Sequence, residues 1–279
     1  MHANLTRRVA LLSSAIALAF LSATLPTVAV AQGEYEQTLL AQKATPVFAQ
    51  IVIYDVLPGR EAEFEKLIAL GAKGGAKGSE FINDRVLKNI DAASPQYATY
   101  TKFGNAGTAQ ALTTSRITAV RALLRRDAES HLAQMDKVYT PKGELNAPNG
   151  RELGTSVGQI AHLGLFLPTP SRVEDYYAAL YKVKVHTLNR KPRGYIGDEL
   201  LIETQRNTAQ LQAPYTPRPR EATRLSFNYG EYKKLEDAED SYVDRTQETS
   251  PEMITLERTF YSALQVPNRF YIFKVIGNS

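Results

Sequence analysis

The sequence predicts an α+β fold in which two ferredoxin-like βαββαβ repeats stand in tandem. Three observations predict it: a β-rich run followed by a helical stretch occurs twice, the two series share matched segments in the same order, and a stretch rich in Gly, Asn and Pro separates them. Phe81-Ile82-Asn83-Asp84-Arg85-Val86-Leu87 matches Tyr195-Ile196-Gly197-Asp198-Glu199-Leu200-Leu201 through its Ile, its Asp and its aliphatic pattern. Leu57-Pro58 with Arg60 and Phe64 matches Leu167-Pro168 with Arg172 and Tyr176, after a two-residue insertion. Tyr100, Phe103 and Ala109 match Tyr229, Tyr232 and Ala238 at an offset of 129, and Ser130, Leu132 and Tyr139 match Ser262, Leu264 and Tyr271 at an offset of 132.

The elements follow in order. Arg7-Arg8 before the apolar run from Val9 to Leu21 reads as a secretory signal peptide, and Ala29-Val30-Ala31 offers the small residues a signal peptidase requires. Residues 1–31 are therefore expected to be removed, leaving an extension over 32–45. The first repeat, 46–141, begins with a strand over Val47–Val56, which Pro58-Gly59 ends. A helix from Arg60 carries Phe64, Leu67 and Ile68 on one stripe until the glycines of 73–78 break it. Strands over Phe81–Ile90 and Gln96–Phe103 form a hairpin, a second helix is expected over Thr108–Met135, and Lys137–Thr140 makes a short last strand. After a linker at 142–157, the second repeat, 158–279, gives a strand at Gly158–Leu167 and a helix at Ser171–Leu188. Strands follow at Tyr195–Thr204 and Thr223–Tyr229, then a helix interrupted at Ser250-Pro251, then a final strand at Arg269–Ile276.

Composition bounds the chemistry. The 279 residues include no Cys, which excludes thiol nucleophiles and thiolate metal sites, and no Trp. The net charge of +4 is spread among interspersed acids, a pattern of solubility that gives no nucleic-acid footprint. After the signal segment no apolar stretch approaches the roughly 20 residues of a membrane span. The expected location is periplasmic or secreted. Arg125-Arg126 and Lys233-Lys234 are expected on solvated helix faces.

The element order, the entry Leu57-Pro58-Gly59-Arg60-Glu61 and the phrase Tyr232-Lys233-Lys234-Leu235-Glu236-Asp237-Ala238-Glu239 resemble the dimeric α/β-barrel superfamily, nearest to its antibiotic-biosynthesis-monooxygenase-like branch, with NIPSNAP-like domains as cousins. The resemblance covers nearly all of the expected mature chain. It implies two four-stranded sheets packed face to face, here within one chain as an intramolecular dimeric α/β barrel. The activities it implies diverge: cofactor-free oxygenation, haem degradation, chlorite decomposition, lactone isomerisation and ring closure. Cofactor-free members commonly use a pocket of Asn, Trp and His, of which this chain lacks the Trp.

Strand alternation nominates the site. If the most apolar faces go to the helices, the barrel receives Gln50, Val52, Tyr54 and Val56 from one first strand and Ile160, His162, Gly164 and Phe166 from the other. The second strands add Phe81, Asn83, Arg85, Leu87 and Asn89, and Tyr195, Glu199, Leu201 and Glu203, with Arg85 and Glu199 at matching positions; the third strands add Tyr97, Thr99 and Thr101, and Arg224, Ser226 and Asn228. His162 is then the expected proton-transfer group and Arg85 the group that polarises a ligand oxygen. Glu199, Tyr97, Asn228, Tyr54, Tyr195 and Gln50 line a pocket for a small aromatic or conjugated molecule. The bland alternatives are a salt bridge between Arg85 and Glu199 that fastens the halves, a His162 that is only a hydrogen-bonded wall, and tyrosines that only fill space. His131 and His186 are expected late in helices as caps. The leading expectation is an exported enzyme that acts on that small aromatic or conjugated molecule by proton transfer, cofactor-free oxygenation or isomerisation, with no metal and no cofactor; the alternative is a non-catalytic periplasmic small-molecule-binding protein, or a haem-binding one ligated by His162 or His131. A further possibility is a barrel that serves only as a core. The proline-rich stretch Ala213–Arg220 is a candidate lid, and further oligomerisation is left open.

Overall fold

Strands whose alternate side chains are both apolar must bury both faces, and this chain does so by closing its sheet into a barrel that helices then cover. The computed structural model describes residues 28–43, 45–75, 80–145, 148–204, 224–247, 250–265 and 268–278. Most of the expected signal peptide (residues 1–27) and the proline-rich stretch lie outside the described residues. The elements are α1 (Val28–Ala41), β1 (Phe48–Asp55), α2 (Glu61–Gly75), β2 (Phe81–Asn89), β3 (Gln96–Phe103), α3 (Ala106–Val120), β4 (Glu129–Thr140) and β5 (Gly143–Leu145). They continue with β6 (Ile160–Phe166), α4 (Val173–Asn189), β7 (Tyr195–Glu203), β8 (Ser226–Tyr232), α5 (Leu235–Thr246), α6 (Pro251–Ser262) and β9 (Arg269–Asn278). No described helix is long and apolar enough to cross a membrane.

The sheet runs β4-β1-β3-β2-β9-β6-β8-β7 and returns to β4, all neighbours antiparallel, with β5 appended to β4. Each half therefore contributes four strands in the order fourth, first, third, second. The last strand of each half also pairs with the second strand of the other: β4 with β7, and β9 with β2. Those two seams close the eight-stranded barrel.

Several expectations are corrected. The long helix expected over 108–135 stops at Val120, a 3₁₀ turn follows over Arg121–Leu123, and the chain is a strand from Glu129. No Gly or Pro between 121 and 140 marks the break, because its cause is tertiary: Leu123 is buried, Asp55 holds Arg125 and Arg126 at 3.4 and 2.5 Å, and β4 is needed to close the barrel. His131 consequently lies on a strand and is no helix cap. Ser130 is on β4 whereas Ser262 ends α6, so the match at offset 132 has no structural counterpart. The extension before residue 46 is largely the helix α1. Ser250 does cap a new helix, its hydroxyl accepting from the Met253 amide with Pro251 in the first turn.

The largest correction concerns which faces point inward. Ala49, Ile51 and Ile53 of β1, Ala98 and Tyr100 of β3, Ala161, Leu163 and Leu165 of β6, and Phe227 and Tyr229 of β8 form one cluster with residues of every other barrel strand; this is the barrel interior. Val52, Tyr54 and Tyr97 instead pack with Phe64 and Ile68 of α2, and Phe166 packs with Tyr176 and Phe260 of α4 and α6. Gln50, Tyr54, Tyr97, His162, Ser226 and Asn228 thus face the helices. The apolar face was expected under the helices, but the barrel centre is the drier of the two environments and takes it. β2 and β7 follow the expected alternation at Arg85, Leu87, Glu199 and Leu201. Bulges at Phe81/Asn83 and Tyr195/Gly197 turn Phe81 and Tyr195 out toward the helices.

Candidate functional site

The barrel interior carries charge as well as hydrocarbon. The Arg85 Nε lies 2.7 Å from Glu231 and donates to Thr155 at 2.6 Å, while Lys102 Nζ lies 2.6 Å from Glu199. All four side chains are at most 1 % exposed. Tyr100 donates to Glu199 at 2.6 Å and Tyr229 to Glu231 at 2.5 Å, and the two rings stack 4.1 Å apart with planes 9° from parallel. Arg85 and Glu199 therefore both point inward, but each is paired with a different partner. Burial works against the Arg85 charge, yet Tyr229, Glu231 and Glu199 outweigh it and raise its pKa. Burial lowers the Lys102 pKa, opposed by Glu199 and reinforced by Arg85.

A second cluster fills another part of the interior. His131 Nδ1 and Nε2 each lie 2.8 Å from a carboxylate, Glu203 and Glu129, and Arg269 donates to Glu129 at 2.7 Å. Burial disfavours the imidazolium, but the two carboxylates prevail and raise the His131 pKa to about 8. For Glu129, burial is opposed by Arg269 and His131, which bring it down to about 2. An imidazole held between two carboxylates has no nitrogen to offer a haem iron. Among the described residues no group of three or more His, Cys, Asp or Glu side chains is arranged to hold a metal ion.

Among the described residues, these ion pairs and stacked rings occupy the part of the barrel interior where the ligand was expected. A cleft of about 130 Å³ by Asn83, Asp84, Arg85, Leu153, Thr155 and Asn278 falls below the roughly 300 Å³ at which ligand pockets begin.

The remaining nominated residues lie between sheet and helices. In the first half Gln50 donates to Ser130 at 2.8 Å, Tyr54 meets Thr99 at 3.4 Å, and Tyr97 donates to Glu65 of α2 at 2.7 Å; these are packing contacts. In the second half a buried polar cluster forms around Asp198. His162 Nε2 lies 3.2 Å from Asp198, which also takes Lys184 of α4 at 3.0 Å and the Tyr195 hydroxyl at 2.9 Å. Burial raises the Asp198 pKa, but Lys184 and His162 prevail and hold it well below the usual carboxylate range. The His162 side chain is 16 % exposed and stands between the rings of Tyr232 and Phe270, at 5.5 and 5.4 Å. Asn228 is buried on the same face, diagonal to His162 across the β6–β8 ladder, and its Oδ1 has no hydrogen-bond partner.

Gly230 makes this dyad possible. It stands opposite His162, and a Cβ there would lie 2.1 Å from His162 Nε2 and 2.3 Å from Asp198 Oδ1. Gly230→Ala is expected to split the pair and to cost about 1–3 kcal/mol by overpacking. A downfield imidazole N–H resonance lost from the NMR spectrum, together with a lower denaturation midpoint, would register both effects.

The structure brings together His162, Asn228 and Tyr195 in one layer and Arg85 with Glu199 in the barrel, and it leaves Gln50, Tyr54 and Tyr97 in the other half. Asp198 and Lys184 were not nominated, although Asp198 belongs to the matched segments and so carried a signal. Tyr100 and Tyr229 carried the same signal; Lys102 and Glu231 carried none beyond their place two residues after each tyrosine.

No known family profile matches the sequence, and no curated protein does. Solved structures do match in fold. A protein assigned as a monooxygenase from Fusobacterium nucleatum aligns over 85 % of this chain and 94 % of its own, at 7 % identity and a TM-score of 0.59. An anthrone oxidase-like protein aligns over 84 % and 93 %, at 8 % identity and 0.56. A protein assigned as a chlorite dismutase aligns over 84 % and 96 %, at 10 % identity and 0.52. At such identities the likeness is one of fold, and the chain has the closed eight-stranded antiparallel α+β barrel, covered by helices, of these monooxygenase-like and chlorite-dismutase-like proteins.

Proposed function

We propose that this chain is an exported, cofactor-independent monooxygenase-like enzyme whose site is the helix-covered face of the second half, with His162 as the proton-transfer group. The observation that carries the reading is the His162–Asp198 dyad, partly open to solvent and flanked by aromatic rings, with the unpartnered Asn228 amide oxygen beside it. A carboxylate behind an imidazole fixes the ring and stabilises the imidazolium formed on proton uptake. The anthrone oxidase-like fold neighbour and the Asn and His of the family resemblance favour a hydroxylated aromatic substrate with an acidic C–H or O–H. In the expected cycle His162 takes that proton, the substrate anion reduces dioxygen to a peroxide on the ring carbon, and His162 returns the proton; one oxygen atom then stays as the carbonyl oxygen while the other leaves as water, its second hydrogen coming from the same carbon. Export rests on Arg7-Arg8, the apolar run and Ala29-Val30-Ala31.

The halves are, on this reading, tandem copies paired as the subunits of a dimer would be. In support, residues at equivalent register correspond. Ile51 faces Tyr100 and His131 as Leu163 faces Tyr229 and Tyr271, and Ile53 faces Glu129 as Leu165 faces Arg269. Arg85 stands opposite Tyr100 as Glu199 stands opposite Tyr229.

Oxygen uptake with anthrone or a substituted hydroquinone tests the activity. His162→Ala is expected to lower kcat by about a hundredfold or more, and Asp198→Asn to lower it less and to shift the pH profile. Undiminished turnover in His162→Ala would refute the assignment, and a Soret band in the purified protein would refute the cofactor-free mechanism.

A further inference from the structure

Farther along the same helix-covered layer from His162, polar groups are buried without partners. Arg224, two residues before β8, is 9 % exposed. Its guanidinium donates to the Glu203 and Thr204 carbonyls and to Gln37, its Nε has no acceptor, and among the described residues no carboxylate lies within ion-pair distance. The buried Tyr177 hydroxyl also lacks a hydrogen-bond partner, while the Tyr176 and Ser226 hydroxyls, buried beside it, have only each other. A buried guanidinium with no carboxylate against it among the described residues, and a Tyr177 hydroxyl with no acceptor, are costly to maintain, and together they suit a carboxylate.

The group now nearest that description comes from α1. Glu36 is 1 % exposed, and one of its oxygens accepts from the Arg224 backbone amide at 3.4 Å. After burial, the largest cause, its charge raises the pKa of Tyr177, and it adds to the rise at Tyr176. α1 rests on α4 through Leu40 and the ring of Tyr35, 6.2 Å from Tyr177, and the Leu40 carbonyl accepts from Gln134 at 2.8 Å. Around the seat the walls are apolar: Phe166, Ile202 and Phe260 belong to the same cluster.

We propose that the seat between α1, the first turn of α4 and the start of β8 binds a carboxylate carried on an apolar or aromatic body, and that Glu36 fills it as an internal stand-in. An incoming acid would displace Glu36, pair with Arg224 and accept from the Tyr177 hydroxyl, while its body replaces the contacts of α1. The site is independent of whether His162 transfers protons.

Calorimetric titration of the full chain with 1-naphthoate, and with 1-naphthalenemethanol as the uncharged control, tests this. Glu36→Gln is expected to bind naphthoate about tenfold more tightly than the wild type, and to prefer it to the alcohol by a similar factor. Adding Arg224→Gln should abolish the gain. Arg224→Lys, which keeps the charge without the planar fork, replaces it if that variant fails to fold, and should weaken binding relative to Glu36→Gln alone. Equal affinity of wild type and Glu36→Gln, equal affinity for acid and alcohol, or indifference to Arg224 would each overturn the proposal.

Discussion

Lys102→Met is expected to lower the free energy of unfolding by about 3–5 kcal/mol, the scale for removing one partner of a buried ion pair. The variant keeps the Glu199 carboxylate inside the barrel, fully buried, with the Tyr100 hydroxyl as its remaining donor among the contacts described. Water cannot replace the ammonium there, because both side chains are entirely enclosed. Lys102→Met/Glu199→Leu should recover most of the loss, since the pair's mutual attraction is largely offset by the desolvation of both charges. Denaturant titration of the two single variants and the double variant gives the coupling directly. If the single variants lose less than about 1 kcal/mol, the pair is not as dry as the structure has it.

Stability should also fall as pH rises through about 8, by about 2 kcal/mol. His131 has a folded pKa raised from 6.5 to about 8, so the folded protein holds a proton that the unfolded chain releases near pH 6.5. Its contribution is full below pH 6.5 and is lost as pH passes through about 8. Glu129 acts in the opposite sense: its folded pKa, lowered to about 2, gives stability present above about 4.5 and lost as pH falls through about 2. This cluster therefore favours folding most between about pH 4.5 and 6.5. Thermal unfolding from pH 5 to 9.5 should show the alkaline decline, and His131→Phe should flatten it. A wild-type midpoint that is level across that range would show that His131 is not held between its two carboxylates.

Much of the fold was legible in the residues, and the reasons it was so are local. Alternation of apolar residues marked the strands, Pro58-Gly59 marked the exit from β1, and Ser250-Pro251 marked the start of α6. The end of α3 was not legible, because the stop is imposed by Asp55 and the barrel seam, which lie far away in sequence. The inward faces are not legible in the sequence for a related reason. Period two reveals that a strand has two faces but not which is drier, and in β1, β3, β6 and β8 both faces are buried. His162 and Asn228 were nominated together and do share a face, but the carboxylate that would make His162 a base reaches it from β7 and is held by a lysine on α4. That convergence depends on Gly230 having no side chain, and nothing adjacent to His162 in the sequence announces it.

The charges inside the barrel have a consequence for how the chain is made. At two sets of corresponding positions the first half supplies Arg85 and Lys102 where the second supplies Glu199 and Glu231; at a third, the first supplies Glu129 and the second Arg269. A nascent first half that met another first half would have to bury arginine against lysine with no anion between them. Its own second half, still to emerge from the ribosome, is the surface that neutralises it. If the halves are tandem copies, as proposed above, this placement of charge disfavours the pairing of two first halves and favours the segment that follows on the same polypeptide.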